Sequence, residues 1–169
     1  MRAYGTSFGI GLVTGMRSMT ACAALTWAAS QGRTRGDLIP GGPVARTLST
    51  GAALAEMAGD KMPFAPDRRI PPSFAARLVI GTVGGWALAG RNATPMTGAL
   101  AGAAGAVAGT LIGRSARGGD NPSPSGLARG LVEDFVAVGL AVAVVSLANA
   151  TSNAALGERL DLGRRDRSA

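Results

Sequence analysis

The chain has no histidine, one cysteine (Cys22) and one lysine (Lys61) among its 169 residues. Without histidine there can be no Ser-His-Asp triad, no Cys-His pair and no imidazole metal ligand, and one cysteine cannot form an internal disulfide. Aromatic residues are also scarce, at 4%. Charged residues make up 16% of the chain, against about 25% in typical soluble domains. A nucleic-acid surface needs a basic face interleaved with stacking aromatics. Here the basic excess is dispersed between apolar runs, at Arg33 and Arg35, Arg68 and Arg69, Arg114 and Arg117, and Arg159 to Arg167, so no nucleic-acid partner is expected. The glycines of Gly9-x-Gly11-x-x-x-Gly15 lie inside an apolar run rather than after a strand, and Lys61 follows no glycine loop. Neither a dinucleotide fold nor a Walker motif is indicated, and neither a cofactor nor an enzymatic activity is expected.

Small residues are what the chain has in quantity: 33 alanines and 26 glycines, 59 residues in all. Mean hydropathy is positive, +0.24. The apolar runs are Ala3 to Met16, resuming after Arg17 as Ser18 to Gly32; Pro43 to Met62; Phe74 to Gly90; Asn92 to Gly113; and Phe135 to Gly157. The last two are free of charge for 22 and 23 positions, long enough to cross roughly 30 Å of hydrocarbon as helices. No alternating run suits a barrel strand. The expected fold is therefore all-α, a polytopic helical membrane bundle of about five segments in one domain, 1–156, followed by a polar tail, 157–169. The connector Arg114 to Ser125 has loop composition, and the fifth segment should begin near Gly126.

The first segment is broken at Arg17, either as one interrupted helix or as two half-segments forming a hairpin. Glycine at position 15 and hydroxyls at Ser18 and Thr20 suit such a break, because freed backbone groups need partners. Met19 to Cys22 has the form of a lipoprotein cleavage box, but Arg17 would interrupt the apolar centre that a signal peptide requires. Cys22 is therefore read as a packing residue. In the fourth segment Gly98, Gly102, Gly105, Gly109 and Gly113 recur at small-xxx-small spacing, which lets helix backbones approach closely. This segment is expected at the centre of the bundle, and its glycine face also offers a surface for a homo-oligomer.

Charged residues inside apolar runs are costly, about 2.5 to 3.5 kcal/mol each at a bilayer centre, so they pair or line a wet cavity. Those present are Arg17, Glu56, Asp60, Lys61, Arg77, Glu133 and Asp134. Glu56 and Asp60, about one turn apart, share a small polar face with Ser49, Ala52 and Ala53. Asp134 lines up with Ala137, Val138, Ala141, Val145 and Ala148, and Glu133 lies to the side, near Leu140 and Val144. The expected binding residues are Arg17, Ser18, Thr20, Glu56, Asp60, Lys61, Glu133 and Asp134. Two uses compete: the carboxylates bind a small cation or proton that moves through the protein, or they form structural ion pairs in a non-catalytic membrane scaffold or partner subunit. Gly11 to Ala21 and Gly105 to Ala116 both run from glycines into Arg-Ser, which suggests an inverted repeat.

Three pieces occur in order along the chain: Gly15-Met16-Arg17-Ser18-Met19-Thr20-Ala21, Glu56-x3-Asp60-Lys61-x-Pro63-x-x-Pro66-x-Arg68, and Glu133-Asp134-x-x-Ala137. Together they resemble a family of bacterial integral membrane proteins, that of domain of unknown function 4126. The resemblance implies a small multi-helix membrane protein whose three charged clusters form one site, and it implies no particular activity or ligand. The expected location is the bacterial cytoplasmic (inner) membrane, multi-pass, with the lipid bilayer as partner. If every segment crosses, the termini lie on opposite sides, and arginine counting places the C-terminus in the cytoplasm.

Overall fold

The computed structural model describes residues 4–59, 71–90, 93–117 and 130–148, and all regular structure among them is helical. The helices are α1 (Gly5–Met16), α2 (Ser18–Ser30), α3 (Pro43–Gly59), α4 (Pro71–Ala87) and α5 (Pro95–Arg117), followed by α6 (Gly130–Ala148). Three of them open on proline, whose fixed φ and missing N–H suit the first helical position. That chemistry starts α4 at Pro71, ahead of the expected Phe74, and α5 at Pro95, past the expected Asn92. The α5 helix also continues through Arg114 to Arg117, residues expected in the connector. The expected start of the last helix near Gly126 and the tail 157–169 lie outside the described residues.

The break at Arg17 is a hairpin. Arg17 is extended, with φ −145° and ψ 105°, and α2 returns alongside α1, so that Leu25 and Ile10 both border Gly84 of α4. The open end of the hairpin lies beside the end of α4: Thr6 donates a hydrogen bond to the Leu88 carbonyl (3.2 Å) and the Arg35 amide donates to the Ala87 carbonyl (2.8 Å). We call this end the base and the Arg17 end the tip. Thr26 and Ser49 share a hydrogen bond (2.8 Å), and the Met19 amide donates to Glu56 (3.0 Å), so α3 climbs from base to tip. The α4 helix descends, with Arg77 bonded to Gly15 near the tip. The α5 helix climbs with Gly98 near Ser7 and Gly109 near Gly15, and α6 descends from Asp134 at Arg17 to Val144 at Gly9.

These directions correct three expectations. The α1 and α5 helices run parallel, so their shared glycine pattern is not an inverted repeat; it marks two faces packed on each other. With six alternating passes, the described ends of the chain, Tyr4 and Ala148, lie at the same end of the bundle. The glycine-rich helix is not central either. That place belongs to α1, which has eight buried residues among its 12 and touches α2, α4, α5 and α6. The α5 helix turns its glycines inward and leaves Met96, Leu100, Val107, Leu111 and Ile112 exposed.

The seam of α5 is backbone on backbone. A Cβ at Gly105 would run into the Phe8 carbonyl oxygen, one at Gly109 into that of Leu12, and one at Gly102 into that of Gly81. Such closeness is open only to glycine and suits helices that associate by van der Waals contact. The hydroxyls of α1 are absorbed the same way: Ser7 donates to the Gly85 carbonyl at 2.8 Å and Thr14 to that of Ile10 at 2.7 Å. At the base, Arg35 forks onto the carbonyls of Ala89 (3.0 Å), Gly90 (2.7 Å) and Ala93 (3.0 Å), pinning the α2–α3 loop to the α4–α5 turn.

Among the described residues, two helices are long and apolar enough to cross a membrane: Pro95–Arg114, with mean hydropathy 1.4, and Gly130–Ala148, with mean hydropathy 2.1. The expectation was five such segments. The hairpin halves, of 12 and 13 residues, reach only about 18–20 Å, and α3 and α4 have 17 described residues each, at the lower edge of the roughly 17–25 that span a bilayer.

Gly109→Leu should therefore lower unfolding stability by at least about 2 kcal/mol through overpacking. Gly51→Ala on α3, where an added Cβ meets nothing, should raise it by roughly 0.5–1 kcal/mol from helix propensity. Thermal or denaturant unfolding of the two variants checks the seam.

Candidate functional site

The hairpin turn collects charge from four elements. Arg17 is buried, its side chain 3% exposed, and pairs with Asp134 of α6, itself 9% exposed. Its backbone still serves both helices: the Arg17 amide donates to the Val13 carbonyl (2.7 Å), and its carbonyl accepts from Ala21 (3.2 Å). One residue thus turns the chain without stranding its own peptide groups.

The two helix ends at the turn carry opposite partial charges, and each meets a matching side chain. The start of α2 has free N–H groups and a positive dipole end. Glu56 of α3 supplies the acceptor, taking the Met19 amide at 3.0 Å. The C-terminal end of α1 has free carbonyls and a negative end. Arg77 of α4, 7% exposed, donates to the Gly15 carbonyl at 2.8 Å. Glu133 is buried next to Asp134, so the layer holds two guanidinium groups and three carboxylates among the described residues.

Of the eight expected site residues, Arg17, Glu56, Glu133 and Asp134 come together in this layer. Ser18 is half-buried on the first turn of α2. Thr20 is buried, but its hydroxyl has no hydrogen-bond partner among the described residues, so the α2 cap comes from Glu56 rather than from the local hydroxyl. Asp60 and Lys61 lie outside the described residues. The buried face of α6 runs through Asp134, Ala137, Ala141 and Val144, with Val138 exposed, so it falls between the two lines expected for Asp134 and Glu133. The role of Arg77 as a carbonyl donor to another helix was not legible, because a lone arginine in a sequence points equally to an acid or to a backbone oxygen.

The layer lies off-centre. Arg77 stands six residues into α4, and Thr110, whose hydroxyl donates to the Gly15 carbonyl (3.5 Å), seven residues before the end of α5, about 9–11 Å from the tip ends of the described helices at 1.5 Å per residue. Among the described residues, no group of three or more cysteine and acidic side chains is arranged to hold a metal ion. No protein-family model, curated protein or solved structure matches the chain.

Removing one member of the Arg17–Asp134 pair leaves a buried charge without its partner, at a cost of about 3–5 kcal/mol, whereas replacing both by apolar groups is near neutral. Arg17→Met and Asp134→Leu should each lower the melting temperature sharply, and the double variant should regain most of the loss. A double variant no more stable than either single one would show that the pair is not what matters at these positions.

Proposed function

We propose that the chain is a multi-pass protein of the bacterial cytoplasmic membrane, related to the family of domain of unknown function 4126, that carries a proton across the bilayer through the charged layer at the hairpin turn. The membrane placement is supported by where the apolar surface lies. The α6 window has mean hydropathy 2.1 yet is only 28% buried, and its exposed side chains include Leu131, Val132, Phe135, Val136 and Val142. Arg17, Arg77, Glu133 and Asp134, by contrast, are buried. An apolar exterior around a charged interior suits lipid rather than water. Arg33, Arg35 and Arg46 lie at the base, and Arg2 and the tail arginines adjoin base ends in sequence. The rule of positive loops therefore assigns the base to the cytoplasm.

The observation that carries the proton reading is the charge count at the turn among the described residues: Arg17 and Arg77 against Glu56, Glu133 and Asp134. These two cations and three anions leave one net negative charge among them, which one proton neutralises. A resident metal cation would instead compete with two guanidinium groups already in place. A short hairpin ending inside the bundle is also the kind of interrupted helix that lines transport sites.

A second reading, a non-catalytic scaffold or partner subunit, is favoured by the pairing itself: Arg17 already has Asp134, and Arg77 already holds a freed carbonyl. The two separate in proteoliposomes loaded with a pH-sensitive dye under an imposed potassium diffusion potential. Proton carriage predicts acidification faster than in protein-free vesicles, abolished by Asp134→Asn and by the stable double variant Arg17→Met/Asp134→Leu. Flux equal to that of protein-free vesicles, or flux unchanged in both variants, rejects proton carriage and leaves the structural role.

A further inference from the structure

Away from the charged layer, α2, α3 and α6 enclose a cavity of about 500 Å³, within the roughly 300–1,000 Å³ usual for ligand sites. Its wall is apolar over most of its length, with Ala24 of α2, Ala53 and Met57 of α3, and Ala141, Val142 and Val145 of α6. Along α2 the lining runs from Thr20, near the tip, to Gln31 at the base. That is eleven residues, about 16 Å at 1.5 Å per residue, or close to half of a hydrocarbon core of roughly 30 Å. Leu54 and Val142, both largely exposed, stand at its side, so the cavity opens laterally as well as at the base.

The base end has a different chemistry. Trp27 lines the cavity, donates through Nε1 to Thr50 (3.4 Å), and lies under the Arg46 guanidinium, 4.9 Å from its ring centre. Arg46 Nε is buried and has no hydrogen-bond partner among the described residues. A cation stacked on the tryptophan that lines the base end of an apolar slot one leaflet deep, at the level where such rings meet headgroups, matches an amphiphile with an anionic head. The cation–π contact holds the guanidinium in place and leaves its donors for phosphate, which it suits better than an ammonium would.

We infer that this cavity binds an anionic phospholipid of the base-side leaflet, with one acyl chain between α2, α3 and α6 and its phosphate on Arg46. The inference rests on the membrane placement proposed above but not on proton carriage. Phosphatidylglycerol carries the head charge that the site requires, and phosphatidylcholine, with its zwitterionic head, does not.

The test uses the Trp86→Phe background, so that Trp27 is the only tryptophan, reconstituted in phosphatidylcholine vesicles containing increasing mole fractions of phosphatidylglycerol with brominated chains. Bound lipid quenches Trp27 steeply and saturates at low mole fraction, several-fold more strongly than brominated phosphatidylcholine at equal fraction. Arg46→Gln should remove the preference between the two lipids. Ala53→Phe, or Leu54→Phe at the exposed rim if the first does not fold, should remove the saturating component by filling the slot. Quenching that rises linearly with mole fraction and is equal for both lipids overturns the inference, as does a preference that survives Arg46→Gln. Protein that does not float with vesicles at all would instead refute the membrane placement, so the two failures are distinguishable.

Discussion

The pairing of Arg17 with Asp134 is the constraint around which the rest of the molecule is arranged. A guanidinium buried among helices cannot stay charged without a partner, and it cannot lose its proton, so an anion has to be brought to it. The last helix supplies that anion, and it can do so only if the first two helices fold back at Arg17 and present it at the correct height. The glycine faces of α1 and α5, the hydroxyls of α1 that bond to carbonyls of α4, and the descent of α6 beside α1 all serve that placement.

The turn also shows how a helix can be interrupted inside a bundle at little cost. Breaking a helix exposes donors on one side and acceptors on the other, which in hydrocarbon would each cost several kcal/mol. Here the groups that answer them come from other helices: a carboxylate from α3 for the donors and a guanidinium from α4 for the acceptors. The interruption therefore ties α3 and α4 to the hairpin, and charges that a pairwise view would assign to one another are partly engaged by backbone.

Much of this was legible in the sequence. Helix content, the break at Arg17 and the inward acids followed from apolar run length and from the cost of buried charge. The glycine spacing in α5 correctly marked a close seam, but it could not say whether that seam lay in the middle of the molecule or on one flank, because spacing describes one face and is silent about the opposite one. Outward residues such as Leu100 and Ile112 decide that question. The parallel course of α1 and α5 was also hidden: counting crossings treats Ser18 to Ser30 as the continuation of α1, whereas the hairpin adds a reversal that only contacts such as Ile10 and Leu25 beside Gly84 reveal. Arg35 looked like one more interfacial charge, because nothing in a sequence announces a fork onto three carbonyls.

The distance along the chain between Arg17 and Asp134 bears on biosynthesis. The arginine is made early, while the carboxylate of Asp134 belongs to the final described helix, so the pair can form only late in translation. Until α6 arrives, the hairpin is held by α3, α4 and α5 alone, and the side of the guanidinium that Asp134 covers stays open. The first helices made thus receive their last partner at the end of synthesis, and a chain shortened before α6 would lack it.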